Sequence, residues 1–165
     1  MIGTLNKPFA ITFAAAIVVI GALIWLGFAK TEGNHLVPTG TIGKIRTVKA
    51  TDDVTFMVID FRVKNDSDRD MIVHSVETAI DTADGDTIMG GGVAGADIKN
   101  AFLNYPLLGD QYNPILKERD TIPAHQAVDR MVGVRFDAPA AKVESRKRVI
   151  LRVEDITGPV LELTK

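Results

Sequence analysis

An uncharged stretch near the amino terminus constrains this chain more than any other feature. Residues 8–29, between Lys7 and Lys30, carry no charged side chain and only one hydroxyl, that of Thr12. As an α-helix the stretch would be about 33 Å long, enough to cross a bilayer hydrocarbon core of roughly 30 Å. The sequence therefore predicts a short head over 1–7 and a single transmembrane helix over 8–29.

A cleaved secretory signal is the alternative to a retained anchor, because the small residues Gly27 and Ala29 stand near the end of the stretch. The apolar core of a signal peptide usually runs only about 7 to 15 residues, so we expect an anchor. The flanking basic residues are nearly balanced and do not set the orientation by themselves. We expect a protein of the bacterial inner membrane with its amino terminus in the cytoplasm and its domain in the periplasm.

The predicted span also has two candidate contact surfaces. Ala10, Ala14 and Gly21 fall on one narrow side of a helix, as small residues do where helices pack closely, although such residues are common in spans anyway. Trp25 and Phe28 stand near its end, where aromatic side chains meet the membrane interface. We therefore expect the lipid bilayer as one partner and a second helix as another.

The rest of the chain reads as a linker over 30–43 and one domain over 44–165, a length that suits a single core. The formal net charge of −2 gives no basic footprint for nucleic acid. The absence of cysteine excludes disulfides, thiolate metal sites and thiol catalysis. We expect no cofactor.

Short strands dominate the predicted domain. Residues 54–63 are apolar on both alternating faces, which is typical of a central strand covered on both sides. Residues 72–80 and 128–137 alternate with period two, and Asp84-Gly85 predicts a hairpin turn. With further strands over 149–153 and 160–163, the pattern predicts an antiparallel β-sandwich of immunoglobulin-like type.

A family resemblance rests on four pieces of this pattern. They are the strand and polar turn at 61–67, the turn at Asp84-Gly85, the strand at 132–137, and the segment 151–156 with Gly158. Together they resemble the small β-sandwich domains of type-2 late-embryogenesis-abundant proteins and their bacterial lipoprotein relatives. The resemblance implies an extracytoplasmic module for binding or scaffolding, with no active site to carry over.

An irregular segment over 90–123, which we call the insertion, departs from this pattern. It begins with several glycines and continues with large apolar side chains among prolines and turn residues. Such side chains must be covered by the domain itself, as a lid over one open end of the sandwich, by a partner protein, or by lipid. The predicted partner contacts are Phe102, Tyr105, Pro106, Leu107, Leu108 and Tyr112.

Three polar groupings are weaker candidates. Asp66, Asp68 and Asp70 have calcium-ligand spacing but lack the glycine and distant glutamate of an EF-hand, so a solvated turn is the simpler interpretation. His74 lies on the same alternating face as Ile72 and Val76, as a core or edge histidine would. The one basic concentration could meet anionic headgroups or an acidic partner, or form a solvated turn; it comprises Lys142, Arg146, Lys147 and Arg148.

These features lead us to expect a non-catalytic accessory subunit. Its single helix and its sandwich would dock onto other subunits of a larger membrane complex. Photosynthetic and respiratory complexes are named as examples because one-helix accessory subunits are often found in them. The alternative is a tethered periplasmic module that binds a lipid or another apolar ligand. An enzyme is not expected, since no local catalytic motif is present.

Overall fold

The computed structural model describes residues 7–31 and 36–165, with side chains described for 12–26 and 36–165. The chain divides into two compact units, Met1–His35 and Leu36–Lys165. In the first unit, helix α1 runs over Lys7–Thr31. The predicted head over 1–6 and part of the predicted linker, 32–35, lie outside the described residues.

The predicted membrane span is not supported. In the described part of the chain, no helix combines the length and the apolar character needed to cross a bilayer. The placement in the bacterial inner membrane, with its assumed orientation, is therefore wrong. The roles predicted for Trp25 and Phe28 at the interface, and the bilayer as a partner, stay predictions.

The predicted packing face of α1 is only partly described. Ala14, Gly21 and Trp25 are exposed residues, whereas the side chains of Ala10 and Phe28 lie outside the described ones. A Cβ built on Gly21 meets nothing within 4 Å. The helix-packing role of this face stays a prediction.

The second unit is a mainly-β antiparallel domain, as predicted. Its strands are β1 Pro38–Lys49, β2 Thr55–Asn65, β3 Met71–Asp81, β4 Thr87–Gly92, β5 Thr121–Ile122, β6 Ala127–Phe136, β7 Arg148–Asp155 and β8 Val160–Thr164. Its helices are α2 Gly95–Asn104, α3 Ala140–Glu144 and a 3-10 turn at Pro106–Leu108. Since β1 begins at Pro38, residues 38–43 belong to the domain and not to a linker.

The sheet order is β1-β2-β6-β4-β3-β7-β8, with β5 paired to β3. Strand β4 joins two halves, because its first residues pair with β3 and Gly91 and Gly92 pair with β6. The inner faces of both halves share one apolar core, which includes Met57 and Ile59 from β2 and Leu151 and Val153 from β7. This packing is consistent with a β-sandwich.

The regular alternation of buried and exposed residues predicted for β3 and β6 is not followed at two places. A register shift between Val73 and Ser75 in β3 places Met71 and Val73 in the core and leaves His74 exposed. His74 is therefore not the buried histidine that a regular alternation predicts. In β6 the period-two pattern of 128–137 places Met131 and Gly133 on the face opposite Val132 and Val134, but both are buried because the insertion covers them.

Asp155 ties the turn after β7 to the start of β3. Its side chain is 2% exposed, and its Oδ2 accepts a hydrogen bond from the Ile72 amide at 2.7 Å. Its Oδ1 accepts hydrogen bonds from the amide and the hydroxyl of Thr157. Burial raises the pKa of this carboxyl, but the hydrogen bonds from Thr157 and Ile72 and the charge of Arg69 outweigh it, so the pKa is lowered.

Replacing Asp155 by Asn should destabilise the fold at pH 7 by about 1–3 kcal/mol, because one carboxylate oxygen that accepts N–H bonds becomes an N–H donor. The wild-type carboxyl has a folded pKa below its ordinary value of 3.8. Its stabilisation is therefore present above about pH 4 and is lost as the pH falls through the folded pKa. Urea unfolding of both proteins from pH 7 to pH 3 should show the difference shrinking with acidity. A constant difference would contradict this account.

Replacing Gly133 by Ala should cost about 1–3 kcal/mol of stability through overpacking. The added Cβ would lie 2.5 Å from Ile98 Cγ1 and 3.1 Å from Phe56 Cζ, where α2 meets the sheet. Gly92→Ala is the matched control, since a Cβ there meets nothing within 4 Å. Urea unfolding measures both; equal effects of the two substitutions would contradict close packing of α2 on β6.

Candidate functional site

The insertion covers one outer face of the sheet. Alternate residues of β1, β2 and β6 point away from the main core and form a second apolar cluster with residues of α2 and the following turn. The buried members of this cluster are Val48, Phe56, Val58, Ile98, Leu108 and Met131. The buried side chains of the insertion in this cluster, Ile98 and Leu108, are therefore covered by the domain itself. The lid lies on a sheet face and not over an open end of the domain.

A buried ion pair fastens the insertion to this face. Arg46 of β1 donates from Nη2 to Asp60 Oδ2 of β2 at 2.7 Å, and both side chains are nearly inaccessible to solvent. Arg46 Nη1 donates to the carbonyls of Leu108 at 2.8 Å and Asp110 at 2.7 Å. Asp60 Oδ1 accepts a hydrogen bond from Asn113 Nδ2 at 2.8 Å. Two strands and the loop after the 3-10 turn thus meet at one charged cluster.

Two aromatic rings flank the same guanidinium. The centroid of Phe102 lies 5.1 Å and that of Tyr112 lies 5.3 Å from Arg46 Cζ, within the range of cation–π attraction. Lys44 Nζ lies 5.2 Å from the Tyr112 centroid. Arg46 Nε is buried and has no hydrogen-bond partner in the described part of the chain. The rings therefore provide part of the compensation for removing this charge from water.

The predicted contact residues divide into three groups. Leu108 is 1% exposed and belongs to the second cluster. Phe102 and Tyr105 are half-buried against that cluster. Pro106, Leu107 and Tyr112 are exposed, with Leu107 at 89% and Tyr112 at 60%. As a buried residue, Leu108 is not available to a partner unless the turn opens.

Sequence reasoning missed two features of this site. Leu103, in the last turn of α2, is 81% exposed. The signal was its spacing of five residues from the buried Ile98, which places it on another side of the helix. The Arg46–Asp60 pair had no comparable signal, because its residues lie on different strands.

A cleft of about 530 Å³ opens where β6 and β3 diverge beside β4. Its walls come from both strands and its rim from the first and last parts of the insertion. The lining includes Val76, Thr78, Ile98, Ile115, Val132 and Val134. Its volume falls in the ordinary range for small-ligand sites, which is about 300–1,000 Å³.

The basic concentration is partly neutralised. Lys142 Nζ lies 3.2 Å from Asp86, and Arg148 Nη2 lies 2.6 Å from Asp81. The hydrogen bond from Thr87 and the charge of Arg148 lower the pKa of Asp81. Arg146 is half-buried and Lys147 is exposed. Lys142 and Arg148 are therefore paired with aspartates, whereas Arg146 and Lys147 have no ion pair among the described residues.

The acidic and histidine candidates do not converge. Asp66 pairs with Lys64, Asp68 with His125, and Asp70 accepts a hydrogen bond from the Ala124 amide. Among the described residues, no three side chains of the His, Cys, Asp and Glu types lie together as metal ligands would.

Comparison with known proteins gives only weak likeness. No protein family and no curated protein matches the sequence. The archaellum periplasmic stator protein FlaG from Sulfolobus acidocaldarius is similar at a TM-score of 0.36 and 7% identity, over 78% of this chain and 100% of that one. An ApaA protein from Bordetella pertussis is similar at a TM-score of 0.38 and 12% identity, over 78% and 88%. Both are small β-rich proteins, and neither supports the late-embryogenesis resemblance.

Replacing Arg46 by Met should destabilise the domain by roughly 3–5 kcal/mol, because it leaves Asp60 buried without its counter-charge. The double variant Arg46→Met with Asp60→Leu should be less destabilised, since no buried charge then remains. Arg62→Gln is the control: its partner Asp129 is 46% exposed and the pair lies at the surface, so the change should stay below about 1 kcal/mol. Urea unfolding measures all three. Equal losses for the two single variants would contradict a special role of the buried pair.

Proposed function

We propose that this chain is a non-catalytic accessory subunit that docks onto a partner protein through its insertion. The surface concerned is the docking platform, defined as Leu103, Pro106, Leu107 and Tyr112. The observation that carries the proposal is the exposure of two leucines, 81% at Leu103 and 89% at Leu107. They lie on a segment whose neighbouring residues, including Leu108, are buried against the sheet. Large apolar side chains that are exposed close together along one segment are candidates for an interaction site.

The anchoring of this segment supports the proposal. Loops usually lose conformational freedom on binding, which weakens association. Here the Leu108 and Asp110 carbonyls are already held by Arg46, and Leu108 is buried beside Leu107. A partner would therefore meet leucines on a backbone that is already ordered.

The surroundings of the platform also suit an interface. Asp97, Lys99, Asn100 and Asn104 of α2 are exposed beside it and supply both charges and amides. Protein interfaces usually place such a polar rim around an apolar centre. The opposite outer face, on β7 and β8, instead carries ion pairs such as that between Arg152 and Glu162.

The immunoglobulin-like type of the sandwich is part of the same proposal. An immunoglobulin-like sandwich is supported by the two sheet halves that enclose one core. A scaffolding role is also what the resemblance to late-embryogenesis-abundant domains implies.

A second candidate function is the binding of a lipid or another apolar ligand, favoured by the cleft beside β6 and β3. A co-purifying apolar molecule in native mass spectrometry, without a protein partner, would favour it over docking.

Replacing Leu103 and Leu107 together by Ser should abolish cross-linking of the chain to its partner in native cells. Each truncation at an interface centre costs about 1–2 kcal/mol, so the pair should weaken binding by tenfold or more. The stability of the purified variant should hardly change, because both side chains are exposed.

The matched control replaces Met89 and Ile156 by Ser, since these are also large apolar residues, each 57% exposed, but lie outside the insertion. The control should keep the cross-linked partner. Retention of the partner by both variants, or its loss from both, would overturn the docking platform.

A further inference from the structure

A second concave surface lies far along the chain from the insertion. It is lined by residues of β1, the segment after α3, the start of β7 and the last residue. Its volume is about 360 Å³, and we call it the basic cleft, made of Ile45, Glu144, Arg146, Lys147, Arg148 and Lys165. Four of these six side chains are cationic and one is acidic.

Only one of the four cations is neutralised by an ion pair among the described residues. Arg148 donates to Asp81 Oδ2 from both Nε, at 2.8 Å, and Nη2, at 2.6 Å. Within that part of the chain, Arg146, Lys147 and Lys165 have no carboxylate within 4.0 Å. Lys165 Nζ donates to the Gly43 carbonyl, which holds its ammonium group near β1. The cleft therefore has an excess of positive charge.

Arg146 is the least solvated of these cations. It is half-buried, and Nη1 donates to the Val143 carbonyl at 2.9 Å. Burial lowers the pKa of its guanidinium, while the Glu144 carboxylate acts in the opposite direction. A guanidinium has five N–H donors, so this bond leaves others for a ligand. A partly buried cation without a bound anion is electrostatically unfavourable, and an anion in the cleft would relieve that cost.

We propose that the basic cleft binds a phosphate group, as a free phosphate ester or as the headgroup of an anionic lipid. A guanidinium matches the oxygen geometry of phosphate with paired N–H donors, and lysine ammonium groups supply further charge. A phosphate monoester carries between one and a half and two negative charges at about pH 7. This suits a cleft with three cations outside ion pairs and one carboxylate. The volume also leaves room for the organic group of an ester beside Ile45.

Titration of the full-length chain with O-phosphoserine, followed by calorimetry, tests the site. The variant Arg146→Gln with Lys147→Gln should bind at least tenfold more weakly than the wild type. Arg146→Lys should lie between the two, because it keeps the charge but loses the planar fork. The matched control is Arg62→Gln with Arg135→Gln, which removes two cations that are paired elsewhere and should leave the affinity within twofold.

A second arm distinguishes the two sources of phosphate. Vesicles of phosphatidylcholine with phosphatidic acid are compared with pure phosphatidylcholine vesicles in a flotation assay, using the same variants. Binding of phosphoserine alone assigns a soluble ester, and loss of vesicle binding only in the Arg146 and Lys147 variant assigns a headgroup.

The proposal is overturned if neither probe binds, or if the cleft variant and the control lose affinity equally. Thermal unfolding without ligand is measured for each variant. If Arg146→Gln unfolds the domain, the comparison of Arg146→Lys with the control decides, since that variant keeps the charge. This site is independent of the docking platform, so either proposal can fail alone.

Discussion

The buried pair of Arg46 and Asp60 is the interaction on which the arrangement of the insertion depends. A charge pair that is shielded from water is stable only if its remaining donors and acceptors are satisfied. Here the insertion supplies those partners, through the Leu108 and Asp110 carbonyls and the Asn113 amide. The pair requires the insertion for its hydrogen bonds, and the insertion requires the pair for its position. We expect the two to form and to open together.

The two outer faces of the domain consequently differ. On β1, β2 and β6 the outward residues include Val48, Phe56, Val58 and Met131, which are apolar and are covered by the insertion. On β3, β7 and β8 the outward residues include Glu77 opposite Arg152, and Arg152 paired with Glu162 at 2.8 Å. Charged cross-strand pairs suit a face in water. The domain thus has one solvated face and one whose surface chemistry is set by the insertion, where Leu103 and Leu107 are exposed.

Much of the sheet was predictable because its signals are local. Strand β2 is apolar on both sides because the main core covers one face and the insertion covers part of the other, and Asp84-Gly85 forms the expected turn with Gly85 at φ 94°. The alternation rule failed at His74, where a bulge changes which residues face the core, and at Met131, which another segment covers. The predicted membrane span is not supported by any helix in the described part of the chain, so an uncharged stretch was not a sufficient criterion. The sequence indicated the partner-contact residues as a group, but it did not distinguish the buried Leu108 from the exposed Leu107.

By itself the sequence determined the β-rich class, the central position of β2, the β3–β4 turn and the lack of thiol chemistry, since periodicity, turn residues and composition are properties of neighbouring residues. The tertiary structure alone decided which side chains of the insertion are buried and which are exposed. It also brought Arg46 to Asp60 across 14 residues and Asn113 to Asp60 across 53. The physical reason is that burial and ion pairing depend on distances in space between segments remote along the chain, and no local pattern specifies those distances.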